Sequence, residues 1–162
     1  MATIEIKGLD GYEELLKKLD TNVNEVIKAG VYEGAKVIAD EVRRELNAVP
    51  EDEKWGTENY KLYGLKKEQI EGLINGFGIS KMEEERGFLN VLIGYQGYNT
   101  LKSERWPKGQ PNAMIARVLE SGTSFSQKIP IMKRTIAKIK EKSVEAAKVV
   151  IDKKIDAIKG GR

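Results

Sequence analysis

From Met132 onward, apolar and small residues return at every third or fourth position: Met132, Ile136, Ile139, Ser143, Ala147, Ile151, Ile155 and Ile158. That period belongs to an α-helix with one buried stripe. Lys133, Lys138, Lys140, Glu141, Lys142, Glu145, Lys148, Asp152 and Lys153 cover much of the remaining surface, and Gly160-Gly161 ends the pattern. Pro130 stands at its start, in a first-turn position where the missing N–H costs nothing. At 1.5 Å per residue the rod is ~45 Å long. A helix of that length outreaches any short β element placed beside it, so part of its stripe must meet another helix or another copy of the chain. Val149 lies off the stripe and is a candidate for a second contact.

A second long period supplies such a helix. Val23, Ile27, Val31, Gly34, Ile38, Val42 and Leu46 recur at the same spacing, beginning near Thr21 or Asn22 and stopped by Pro50. This rod is ~38 Å long by the same rise. Gly30 and Gly34 sit one turn apart at or beside its stripe. Glycine weakens a helix by about 1 kcal/mol relative to alanine, so a pair on one face points to close approach of another backbone. Ahead of this helix, Ile4 and Ile6 alternate as a short strand ended by Gly8. Asp10 then caps a short helix with Tyr12, Leu15, Leu16 and Leu19 on one face.

The middle of the chain is more broken. Residues 51–64 are irregular, and a short helical stretch covers about 66–73. Phe77, Ile79 and Lys81 alternate as a strand, Glu83 to Gly87 make a charged turn, and Leu89, Val91, Ile93 and Tyr95 alternate on the way back. The turn lacks the Asn-Gly signature of the tightest hairpins. A second long loop spans 96–112. Residues 113–119 read either as a short helix capped by Asn112 or as a strand, stopped by Gly122. The expected fold is α+β: a small antiparallel sheet, made of the hairpin, the N-terminal strand and a possible further short strand, packed against two long helices. Residues 1–162 read as one domain with long loops at about 48–65 and 96–112.

Composition narrows the chemistry. The chain has no histidine and no cysteine. Disulfides and thiolate metal sites are thereby excluded, and the commonest general base and metal ligand are missing. No nucleophile-plus-base arrangement, phosphate loop or ligand cluster stands out, so neither catalysis nor a cofactor is expected. Glu51-Asp52-Glu53 and Glu83-Glu84-Glu85 lack the alternate spacing and glycine of a calcium loop, and read as solvated turns. Lys and Arg number 28 against 25 Asp and Glu, a net charge of +3, far from the concentrated charge of a dedicated nucleic-acid binder. The first residues show no basic region leading into an apolar one, and no apolar run approaches the ~20 residues that span a bilayer; no signal peptide and no membrane partner are expected.

Three clusters remain as candidate sites. In Glu120-Ser121-Gly122-Thr123 the glycine is free to take a positive φ, and the hydroxyls can fix the turn. Glu120 would then be held at a defined angle, ready to pair with a cation of its own or a neighbouring copy. Around Trp106, the cations Lys102, Arg105 and Lys108 make a patch that suits either base stacking or a protein interface, and Tyr98 stands just before it. Trp55 and Tyr60 are interface candidates of the same kind.

Three pieces, in order, resemble the neck and tail-completion proteins of tailed bacteriophages, the gene-product-ten-like family of lambdoid phages. The opening Ile4-Glu5-Ile6-Lys7-Gly8-Leu9-Asp10 leads into helix, as there. Gly72-Leu73, Phe77-Gly78-Ile79 and Leu92-Ile93-Gly94 are similar to that family's Gly-x-Leu segment and following hairpin. Leu119-Glu120-Ser121-Gly122-Thr123 with Ile129-Pro130-Ile131-Met132 looks like its Glu-x-Gly-Thr element and the proline that opens the last helix. The two loops are longer than is usual in that family, and its serine after Gly72-Leu73 is absent. The resemblance implies a virion structural protein of the head–tail connection, made in the bacterial host cytoplasm. It would assemble as a homo-oligomeric ring, contact head-closure (connector) and tail proteins, and meet DNA only as non-specific passage through its channel. The alternative is a small DNA-binding module using the Lys/Arg/Trp loop at 98–108.

Overall fold

The computed structural model describes residues 10–161, with side chains from residue 17 onward. The elements run α1 (Asp10–Asn47), α2 (Lys67–Gly76), β1 (Phe77–Ile79), β2 (Glu83–Glu85), β3 (Phe88–Asn90), β4 (Ile93–Tyr95), α3 (Asn112–Ser121) and α4 (Ile131–Gly160). The fold is α+β, with small antiparallel ribbons packed on the first of two long helices. The strand expected around Ile4 and Ile6 lies outside the described residues.

The N-terminal helices expected on either side of Thr21 are a single one. Thr21 and Asn22 are of the type that caps a helix, but here both side chains donate backward, Thr21 Oγ1 to Lys17 O (2.8 Å) and Asn22 Nδ2 to Lys18 O (2.7 Å). Such back-bonding satisfies the hydroxyl and amide without opening the helix. With neither proline nor glycine between Asp10 and Ala29 except Gly11, the 38 residues of α1 form a rod of ~57 Å. It ends at Asn47, three residues ahead of Pro50.

α1 and α4 lie antiparallel along most of α4. Arg134 pairs with Glu45 at 2.9 Å and Lys138 with Glu41 at 3.1 Å near the base, while Gly30 faces Ala147 and Ile151 further out. Most of the α4 stripe is thus met by α1 of the same chain, with Ile136 left exposed. A Cβ on Gly30 would stand 2.6 Å from Ile151 Cγ1, and one on Gly34 would stand 3.2 Å from Ser143 Oγ and 3.3 Å from Ser143 O. The missing side chains let the backbones close up, and the buried Ser143 hydroxyl donates to Gly34 O at 2.9 Å.

The hairpin forms, but its charged turn is shorter than the sequence suggests. β1 pairs with β4, Phe77 opposite Tyr95 and Ile79 opposite Ile93. Glu83–Glu85 is strand rather than turn, and pairs with Phe88–Asn90. Only Arg86 and Gly87 turn, both at positive φ (52° and 81°), which is the geometry of a two-residue loop normally given to Asn-Gly. Between the two ribbons, Ser80-Lys81-Met82 face only Val91-Leu92, so one extra residue bulges out. The Ser80 hydroxyl takes up the slack by accepting the Leu92 N–H at 2.8 Å.

The core sits at the base of the helix pair. Ala39, Val42 and Leu46 of α1 meet Ile70 and Leu73 of α2, Phe77 of β1, Ile115 and Leu119 of α3, and Ile129 and Ile131. The short helix after Leu65 starts at Lys67 and runs on to Gly76, three residues past the sequence limit. Residues 112–121 are helical, which settles the helix-or-strand choice. Asn112 does not cap that helix; Pro111 occupies the N-cap position, and Asn112 is buried inside the first turn.

Candidate functional site

The Glu120 segment is built from three local effects. α3 ends where Gly122, at φ 71°, donates its N–H to Val118 O (2.8 Å). The chain then doubles back: Thr123 N–H donates to Ser126 O (2.8 Å), and Phe125 N–H reaches Thr123 Oγ1 (3.3 Å). Ile129 N–H bonds Leu119 O, which brings the start of α4 beside the end of α3. Pro130 precedes the first residue of α4 instead of lying in its first turn, and its side chain offers no cap. Glu120 fills that gap, its Oε1 accepting the Met132 N–H. A carboxylate there bonds an orphan donor and faces the positive end of the helix dipole. Within the chain Glu120 thus serves as a cap for the neighbouring helix, and among the described residues no cation of its own chain pairs with it. Its charge also reaches Tyr95, whose hydroxyl is pushed well above the usual tyrosine range, first by burial and then by Glu120.

Both long loops are tied down by backbone bonds. In the first, Leu65 N–H donates to Pro50 O (3.0 Å), Leu62 N–H to Phe125 O (3.0 Å) and Gln127 N–H to Leu62 O (2.8 Å). The turn after Gly122 and the 48–65 loop thus form one surface. In the second, Asn99 N–H bonds Gln110 O (2.9 Å), and Ser103 and Trp106 exchange backbone bonds at the tip (3.1 and 3.0 Å).

The aromatic candidates are distributed over these loops and do not converge. Trp55 is 83% exposed, with Lys66 Nζ 4.1 Å from its ring centre, and Lys54 stands over the exposed Tyr60 at 5.1 Å. Tyr98 is exposed, Trp106 is half-buried, and Arg105 lies 5.5 Å over the Trp106 ring. One cation of the expected patch, Arg105, thus lies against the ring expected either to stack on a base or to anchor a protein interface. Val149 is exposed on α4, as are Ile136 and Val144, which share one face two turns apart. On α1, Val23 and Ile27 are exposed one turn apart. Val23, Ile27 and Ile136 belong to the stripes expected to be buried, so the helix pair covers those stripes only in part, while Val144 and Val149 stand off the α4 stripe.

Comparison of the chain with family models, with curated proteins and with solved structures gave no match.

Among the described residues there is no group of carboxylates that would hold a metal ion, and no helix long and apolar enough to cross a membrane. One constellation is absent from the sequence reading: Glu68 and Glu71 of α2, Tyr98 and Thr100 of the second loop, and Asn112 of α3 line a common cleft. Its parts are spread over more than forty residues of the chain, and only Gly72 and Gly76, one turn apart on α2, hinted that something packs there.

Proposed function

We propose that this chain is a structural component of the head–tail connection of a tailed bacteriophage, a neck or tail-completion protein that assembles as a homo-oligomeric ring around the DNA channel. The observation that carries the reading is the pair of long helices, whose mutual packing leaves Val23, Ile27, Ile136, Val144 and Val149 between 39% and 47% exposed. Burying a side chain of this kind stabilises a complex by about 1.5–3 kcal/mol at full burial, so several such residues on a regular rod favour contact with other copies. The order of the three family-like segments supports the same reading. α4 adds nine basic residues against four acidic ones, a surface suited to passing DNA without reading its sequence. Head-closure and tail proteins would cap the two faces of the ring.

Light scattering across a concentration series, with and without the adjacent head-closure and tail proteins, tests the proposal. Concentration-dependent assembly, or capture by those partners, is the expected result. A chain that stays monomeric at every concentration and ignores both partners overturns it.

A further inference from the structure

The chain running from β3 into β4 leaves Phe88 75% and Leu92 67% exposed, while Leu89, Val91 and Ile93 are half-buried. That is strand alternation, with the even positions facing away from the molecule. β2 adds two carboxylates on the same outward side, because Glu85 pairs with Phe88 and Glu83 with Asn90. Among the described residues Glu83, Glu84 and Glu85 take part in no ion pair. The other acidic run is already engaged: Asp52 accepts the Lys54 and Tyr63 amides, Glu53 accepts that of Lys67, and Lys54 and Lys66 stand over the aromatic rings beside it.

α4 carries a surface of opposite charge. Ile136, Lys140, Val144 and Lys148 follow one another at every fourth residue, one position past the buried Thr135, Ile139 and Ser143. All four are exposed, and among the described residues neither lysine is in an ion pair. Spacing matches as well as charge. Ile136 and Val144 lie two turns apart, ~12 Å, with Lys140 between them. Phe88 and Leu92 lie ~13 Å apart along an extended chain, with Glu83 beside the residue midway between them. Glu141 and Glu145 stand one row further round α4, and Arg86 at the turn of the ribbon is the cation that offsets them.

The two surfaces lie on opposite sides of the helix pair. The ribbon is held to α1 where the Met82 N–H donates to the Tyr32 hydroxyl at 2.8 Å. Tyr32 is two residues from Gly30 and from Gly34, which face α4, and so points roughly 200° away from them around the helix.

We infer that the outward face of the β2–β3 ribbon of one copy docks on the Ile136–Lys148 row of α4 of the next. Phe88 and Leu92 meet Ile136 and Val144, and Glu83 and Glu85 meet Lys140 and Lys148. Unlike surfaces on opposite sides make a head-to-tail contact, which closes into a ring where the rotation permits. The contact rests on the ring reading above and names the surfaces that build it. It uses two of the nine basic residues of α4 and leaves the others for the channel.

Light scattering of the full chain and its variants across a concentration series is the test. Phe88→Ser on the ribbon and Val144→Asp on the rod should each weaken self-association about tenfold. Mixed in equal amounts, these two variants should recover a dimer that grows no further, since each retains the surface that the other lacks. Glu83→Lys and Lys140→Glu should each weaken association several-fold, and the chain carrying both should regain most of it. All four positions are exposed, so far-UV circular dichroism should be unchanged. Variants that assemble like the parent, or a mixture and a charge swap that both fail to recover, overturn the contact and leave the ring standing. So does a Lys140→Glu chain that loses retention on duplex DNA while associating as before. A parent chain that is captured by head-closure or tail proteins but never by itself overturns the contact and leaves the head–tail reading; one that binds neither itself nor them overturns both.

Discussion

Glu120 joins two helices that otherwise share few contacts. Its carboxylate caps α4 from the last turn of α3, because Pro130 brings no side-chain acceptor of its own. Replacing a capping side chain by alanine costs ~1 kcal/mol, up to ~2, so Glu120→Ala should lower the urea midpoint accordingly. Glu120→Gln keeps an acceptor and should lose less. Tyr95 is the second residue whose surroundings matter. Its hydroxyl is raised above the ordinary tyrosine pKa of about 10, so the unfolded chain ionises first as pH increases. Its contribution to stability is therefore complete below about pH 10 and declines as pH climbs toward the folded-state pKa. Urea unfolding at pH 8 and pH 11 should show the decline, and Tyr95→Phe should shrink the difference between the two. The role of Glu120 was half legible in the sequence. Gly122 and Thr123 announce a turn by residue type, but the donor that Glu120 serves belongs to a residue beyond that turn, and nothing local names it.

The two rods are the elements on which the architecture rests, and their glycines are not equivalent. A Cβ at Gly30 would press on the Ile151 side chain at 2.6 Å, which can move, and touch Ala147 O at 3.3 Å; one at Gly34 would meet Ser143 O at 3.3 Å and, at 3.2 Å, the Ser143 hydroxyl, which is held by its bond to Gly34 O. Gly30→Ala should therefore be close to neutral, the helix-propensity gain of about 1 kcal/mol offsetting a shifted Ile151. Gly34→Leu should force the rods apart and cost about 1–3 kcal/mol, read from thermal or urea unfolding. α4 was legible from end to end because Pro130 and Gly160-Gly161 bracket an unbroken period. α1 was split wrongly because Thr21 and Asn22 have the same composition whether they cap a new helix or bond back into an old one. The hairpin was found by its alternation. Its turn was drawn too long because Arg86 occupies a positive-φ position that its residue type disfavours. The cleft at Asn112 was invisible, since its walls belong to the folded arrangement and not to any stretch of chain.

At the scale of the molecule, the exposed residues of the rods separate folding from assembly. Ile27→Asp and Val144→Asp remove side chains already about half covered, so each should lower monomer stability by about 1–2 kcal/mol. If copies meet through these faces, the same variants should weaken self-association at least about tenfold by light scattering. The ion pairs between Arg134 and Glu45 and between Lys138 and Glu41 act differently. Both cations are more than half exposed, so each pair contributes less than about 1 kcal/mol and serves mainly to set the register of the helices.

That register has a kinetic consequence. Glu45 and Arg134 are separated by the whole globular base, whereas Asn22 and Ile158, which border a gap of about 240 Å³ between the helices, are separated by nearly the entire chain. Joining the far tips first would mean closing the largest possible loop for the weakest grip, so the rods should zip from the base outward and fray in the opposite direction. Amide hydrogens near Val26 should accordingly exchange with solvent well before those near Val42, and a ring gripping the outer ends would be holding the part of each molecule that opens most readily.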